Sequence, residues 1–302
     1  MSDKIVSFSF RLGNADPSLS RIQPEKKIKP KLFFVVEGAE TERIYVQELK
    51  NEFENKILGD VICLDRIDKH RSNQLYIVTL IDTYFKSLSS LDSKIIQKIN
   101  LLRDEILLED TITEDFLNEK LSEIKGLVDS KIYQDLFGKV NLEDGSDPLE
   151  VLNAFVELQN FSKGFDQILI LIDRDKQSFK ASQYEKVMAI SEAQGYKLGV
   201  SNPCFELFLF LHLNDIKGLD KRKLRKNSLV KNDLRYTAYV LKEELKKHSK
   251  SFNSKSDYDA NFIVSKFHNL DKNIKLSKIV TDPKDLKDKM GTSVYEIIKP
   301  YL

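Results

Sequence analysis

The chain has 302 residues, 41% of them hydrophobic and 31% charged, with a formal net charge of +1. That balance describes a globular protein long enough for one large domain or two smaller ones. No apolar run reaches the roughly 18 residues of a membrane span, and the N-terminus lacks the uninterrupted apolar core of a secretory signal, so a cytoplasmic protein is expected.

Taken in chain order, residues 1–30 are polar, with Pro17, Pro24, Pro30 and the run Lys26-Lys27-Ile28-Lys29, and read as a basic N-terminal arm. Leu32-Phe33-Phe34-Val35-Val36 reads as a buried strand that runs into Glu37-Gly38. Ala39 to Phe53 carries Ile44, Leu49 and Phe53 at near-helical spacing, and Asp60 to Ile67 reads as a second strand. From Gln74 to Lys139, Leu and Ile recur at three-four spacing among good helix formers. Asp147 and Pro148 suit the N-cap and first position of another amphipathic helix. A second apolar strand, Ile168 to Ile172, leads into Asp173-Arg174-Asp175. A helix from Ala181 to Gln194, stopped near Gly195, and a short strand from Lys197 to Val200 follow.

Apolar strands alternating with helices are the βαβ signature, and continuous apolar runs mark strands covered on both faces. The expected fold is therefore α/β, a mainly parallel sheet flanked by helices. Its core spans residues 31–67 and 146–214, interrupted by a helical insertion over 68–145 and followed by a basic helical region over 215–302. Charge is segregated along that plan. Residues 92–150 hold 15 acidic and 7 basic residues, net −8, whereas 216–302 hold 11 and 21, net +10. The C-terminal third is the part suited to a polyanion.

Two acidic clusters sit at the carboxyl ends of the apolar strands, the edge at which open parallel sheets bind ligands. Glu37, Asp173 and Asp175 can converge there. Clustered carboxylates repel one another unless a cation lies among them, and a hard dication such as Mg²⁺ or Mn²⁺ prefers oxygen ligands. Side chains two apart on a strand share a side, so Asp173 and Asp175 can face one metal while Arg174 points away. Each residue also has a plainer reading: Gly38 as a turn, Glu42 as a carboxylate favoured by the dipole of its helix, Asp175 as a cap of the next helix.

The segment Asn202 to Leu213 pairs a good N-cap, Asn202, and Pro203 at the first helical position with a helix that is apolar on every face except at Glu206 and His212. Such a helix is buried, and its carboxylate needs a partner: either a local salt bridge or hydrogen bond, or a place at the edge of the metal site. His212 reads as a core histidine. Cys63 and Cys204 form no paired motif and have no zinc-ligand spacing with the four histidines, which argues against disulfides and structural zinc. Beyond this helix, Lys221, Arg222, Lys223, Arg225 and Lys226 form a basic run, either solvated surface or a phosphate-binding face, with Tyr236 and Tyr239 available to stack single-stranded bases.

In order, Glu37-Gly38-Ala39-Glu40-Thr41-Glu42, Asp173-Arg174-Asp175, Ser201-Asn202-Pro203-Cys204-Phe205-Glu206-Leu207 and Thr292-Ser293-Val294-Tyr295 resemble the RloB-like family of restriction-associated and abortive-infection proteins. That family looks like a divergent branch of the Toprim fold. The resemblance covers the core and the tail but not the stretch from about 68 to 145.

It implies a Mg²⁺- or Mn²⁺-dependent endonuclease, effector of an antiphage system, with Glu37, Glu42, Asp173 and Asp175 as metal ligands and Glu206 completing the catalytic set. It also implies an AAA- or ABC-type ATPase partner, since no Gly-x-x-x-x-Gly-Lys loop is present in this chain. The acidic insertion is suited to protein contact, either self-association or docking to that ATPase. The alternative is a non-catalytic Toprim scaffold that binds an ATPase or phage protein. DNA and RNA, tRNA included, are equally compatible as substrate.

Overall fold

Alternate residues of the two apolar runs point to opposite sides of one sheet, and both sides are buried. In the computed structural model, Leu32, Phe34, Val36, Leu169 and Leu171 enter one hydrophobic cluster, while Phe33, Val35, Ile168, Ile170 and Ile172 enter another. This is the arrangement expected of strands without a polar face. Truncating a central residue such as Leu171 to alanine would cost about 2–5 kcal/mol. The structure describes residues 30–36, 40–53, 74–109, 113–137, 152, 155–156, 158–175, 179–231, 234–254 and 257–302.

The first strand, β1, spans Leu32–Val36 and is followed by α1, Thr41–Glu52. Four helices come next: α2 (Gln74–Ser89), α3 (Ser93–Leu108), α4 (Glu114–Leu127) and α5 (Ser130–Leu136). Asp92, Thr113 and Asp129 cap the last three by accepting from Lys94 N, Phe116 N and Lys131 N. The sheet resumes with β2 (Gln167–Asp173), crosses over through α6 (Ala181–Gln194) and continues in β3 (Lys197–Asn202). Gly195 ends α6 with φ 78°, the left-handed conformation that glycine adopts without strain.

The C-terminal part runs through α7 (Phe205–Leu213), α8 (Lys221–Lys226), β4 (Leu229–Lys231), β5 (Leu234–Arg235) and α9 (Tyr236–Lys247). There follow β6 (Phe252–Ser254), β7 (Asp257–Tyr258), α10 (Ala260–Ser265), α11 (Leu270–Ser277), α12 (Pro283–Leu286), β8 (Gly291–Thr292) and α13 (Val294–Ile298).

The main sheet has the order β1-β2-β3-β8. The first three strands are parallel, with Val36 opposite Leu171 and Asp173 opposite Ser201, and β8 closes the edge antiparallel to β3. The expected mainly parallel α/β sheet is present. The helices expected over Ala39–Phe53, within Gln74–Lys139 and over Ala181–Gln194 are present too. The expected strand over Asp60–Ile67 and the start of a helix at Asp147-Pro148 lie outside the described residues.

Helices α2 to α6 cover one face of the sheet, contributing Ile77, Val78, Ile81, Ile99, Ile124 and Tyr184 to its cluster. The other face is covered by α1, α7 to α11 and α13, including Phe208, Leu241, Ile263 and Val294, while α12 adds Leu286 to the first. Residues 215–302 thus share a core with β1 to β3, and β8 from that region is a strand of the same sheet. The tail motif makes the join: Ser293 Oγ donates to Leu198 O and accepts from Val200 N, both at 2.8 Å, and the hydroxyls of Thr292 and Ser201 meet at 3.1 Å.

Asn202 is not the N-cap of α7, as its sequence context suggests. It is the last residue of β3, its peptide bond to Pro203 is cis, and Cys204 occupies the N-cap. The competing demand is tertiary. Pairing with Gly291 holds the Asn202 backbone in the sheet, and its Nδ2 donates to Leu286 O at 2.7 Å and Lys289 O at 2.9 Å. Asp175 is not the N-cap of the next helix either: α6 begins at Ala181, with Lys180 at its N-cap.

Candidate active site

Parallel register brings the carboxyl ends of β1, β2 and β3 to one edge. Asp173 ends β2 level with Ser201, and the Arg174 amide extends the ladder by donating to Ser201 O at 2.7 Å. Burial alternates across this motif, with Asp173 and Asp175 half-buried and Arg174 fully buried between them. The Arg174 guanidinium turns inward, where Nε donates to Lys287 O at 3.1 Å and a second nitrogen donates to Phe179 O. The rings of Phe179 and Tyr184 flank it at 5.4 Å each. Arg174 thereby ties the end of β2 to the start of α6 and to the loop after α12.

The first turns of α1 and α7 each bring a buried carboxylate. Glu42 is 7% exposed and Glu206 3%. Both act on Tyr258, whose hydroxyl donates to Thr41 O at 2.8 Å; burial chiefly, and then the charges of Glu42 and Glu206, raise its pKa. Glu206 also hydrogen-bonds the Cys204 thiol. Burial first, then the charges of Glu206 and Asp173, hold that thiol well above its ordinary pKa. Cys204 thus feels the charges of Glu206 and Asp173, and Tyr258 those of Glu42 and Glu206. These three carboxylates belong to three separate elements, and the charge of Glu206 reaches both groups.

Of the other expected site residues, Asp175 lies two residues past Asp173 on the same edge, and Glu37 lies outside the described residues. Among the described residues, no three His, Cys, Asp or Glu side chains are arranged to hold a metal ion. The chemistry of the set nevertheless fits a hard dication. Its donors are carboxylate oxygens, and its one sulfur is kept protonated by burial.

The basic helix α8 is joined to this region by residues that sequence reasoning missed. Asn227 caps its C-terminus in the left-handed conformation, φ 44° and ψ 42°. Asn227 Oδ1 accepts from Thr237 N at 3.0 Å and Thr237 Oγ1 at 2.7 Å, while its Nδ2 donates to Cys204 Sγ at 3.3 Å. An asparagine directly after a basic helical run is a legible C-cap signal. Its bond to Cys204 is not, because the partner lies 23 residues away. Lys221, Arg222, Lys223, Arg225 and Lys226 are all exposed, and four of them, Lys223 excepted, line a cleft of about 530 Å³. Tyr236 and Tyr239 are half-buried against the core, and the Lys223 ammonium lies 6.0 Å from the Tyr236 ring centre, over the surface a base would use.

His212 is a core residue, as its sequence context suggests. Burial pushes its pKa down to about 3, so the ring is neutral. Its Nδ1 faces the Phe208 carbonyl at 3.1 Å, and a carbonyl only accepts, so Nδ1 carries the proton. Nε2 then accepts from the Tyr45 hydroxyl at 3.0 Å. Tyr45 lies three residues after Glu42, so this bond fixes the helix that presents Glu42.

The chain matches the model of the RloB-like protein family over residues 32–300. It belongs to that family, and the match runs through residues 68–145, which the four sequence motifs leave out. No curated protein and no solved structure matches it.

Proposed function

We propose that this protein is a Toprim-like, metal-dependent endonuclease of the cytoplasm, the effector of an antiphage or abortive-infection system. The observation that carries the reading is that Asp173, at the carboxyl end of β2, and Glu206 both act on the Cys204 thiol, while Glu206 and Glu42 both act on Tyr258. In this reading Glu37, Asp173 and Asp175 hold the metal, and Glu42 and Glu206 complete the site. A bound Mg²⁺ or Mn²⁺ supplies activation of the attacking water and stabilisation of the leaving oxygen in phosphodiester hydrolysis.

The chain's own residues then have separate tasks. Arg174 keeps Asp173 and Asp175 turned to the same side. The α8 cations hold the phosphate backbone of DNA or RNA, and Asn227 sets their position relative to the carboxylates through Cys204. An AAA- or ABC-type ATPase supplies sensing and gating from outside.

The test is a cleavage assay on plasmid DNA, single-stranded DNA and tRNA with Mg²⁺, Mn²⁺ or chelator. Cleavage that needs the metal and is lost in Asp173→Ala supports the reading. Absence of cleavage on all three substrates, with the metal and the ATPase partner both present, favours a non-catalytic scaffold.

A further inference from the structure

The exposed side of α3 is unlike the other charged surfaces of this protein. On it Leu101 and Leu108 are 61% and 83% exposed. They stand seven residues apart, hence on one stripe of the helix, opposite the buried Ile99, Leu102 and Ile106. Lys94 and Lys98 precede Leu101 on this stripe, and Asp104 and Glu105 follow it. Although residues 92–150 carry a net charge of −8, this stripe is balanced, two cations toward its N-terminal end and two anions toward its C-terminal end.

Such an order is complementary to itself in one orientation. Placed antiparallel on a second copy with a two-fold axis at Leu101, residues pair when their numbers sum to 202. Leu101 then meets Leu101, Lys98 meets Asp104, Gln97 meets Glu105, and the aliphatic stem of Lys94 lies along Leu108. A parallel pairing would set like charge against like charge. No ion pair among the described residues involves Lys94 or Lys98, whereas Asp104 and Glu105 are each still 54% exposed beside Arg103 and Lys120.

We propose that this face of α3 is a homodimer interface, an isologous antiparallel helix pair centred on Leu101. The inference is independent of the catalytic reading. The helix is about 24 Å long, so the contact is small and the dimer forms in the micromolar range, not the nanomolar.

Sedimentation velocity of the full chain from a few to several hundred micromolar tests it, with circular dichroism confirming that each variant is folded. The wild type shifts from monomer to dimer across that range. Leu101→Asp stays monomeric. Lys98→Glu and Asp104→Lys each weaken dimerisation at least tenfold by opposing like charges, while the double variant, which restores an opposite-sign pair in both halves, returns to within about threefold of wild type. A wild type that remains monomeric throughout overturns the proposal. So does a double variant no better than the single ones, or a monomeric chain that uses α3 to hold a different protein.

Discussion

The side-chain amide of Asn227 donates to the buried thiol of Cys204 at 3.3 Å, joining the end of the basic helix α8 to the thiol on which the charges of Glu206 and Asp173 act. Two regions that are separate in sequence, one cationic and one acidic, are held at a fixed offset by this contact. Replacing Asn227 with alanine leaves the Thr237 amide without its acceptor and puts a Cβ-bearing residue with no local hydrogen bond into a left-handed turn. We expect a loss of about 2–3 kcal/mol in urea denaturation. Asn227→Gly relieves only the backbone part, so it should recover a minor share. Equal stability of the alanine variant and wild type would show that the join is not structural.

His212 gives the fold a defined acid sensitivity. Its folded pKa of about 3 lies below the ordinary histidine value of about 6.5, so between these values the unfolded chain binds a proton that the folded chain does not. Stability from this residue is complete above about pH 6.5 and falls as pH drops toward 3, by up to about 1.4 kcal/mol per unit. Urea midpoints measured from pH 4 to 7 should therefore slope less in His212→Phe than in wild type. Identical slopes would contradict the assignment of a neutral, buried ring.

Glu206→Gln separates a site carboxylate from a structural one. The amide keeps the shape and still hydrogen-bonds, but it removes the charge that acts on Cys204 and Tyr258. The expected outcome is weaker Mn²⁺ binding, by about tenfold, with a melting temperature within a few degrees of wild type. Unchanged metal affinity together with a large fall in melting temperature would assign Glu206 to structure.

The α8 cations are tested by salt dependence. Reversing Lys221, Arg222 and Arg225 to glutamate should weaken binding to every nucleic-acid sequence alike and flatten the plot of log affinity against log salt by about one unit per lost contact. Metal affinity should stay as it is, because these side chains face the cleft and not the carboxylates. An unaltered slope would place the substrate on another face.

The strands and helices of the sheet were legible because their signals are local. Continuous apolar runs gave β1 and β2, and Gly195 marked the end of α6. Asp173 and Glu206 were legible as candidates because a charge inside or directly after an apolar run demands a reason. What stayed hidden depends on distant partners. Asn202 reads as a cap until Gly291 and the carbonyls of Leu286 and Lys289 claim it. Tyr258 has no local signature, and its role follows from reaching Thr41 O across 217 residues. The tail strand β8 is two residues long and owes its place to Gly291, where any Cβ would lie 2.0 Å from Val280 O.

A catalytic role for this edge of the sheet requires Asp173 to be a metal ligand. Calorimetric titration of Mn²⁺ into the wild type and Asp173→Ala, at matched ionic strength, measures this without requiring a known substrate. The wild type should bind Mn²⁺ and the variant should not, while remaining folded or gaining slightly in stability as carboxylate repulsion is relieved. Equal Mn²⁺ affinity in the two proteins would contradict that role.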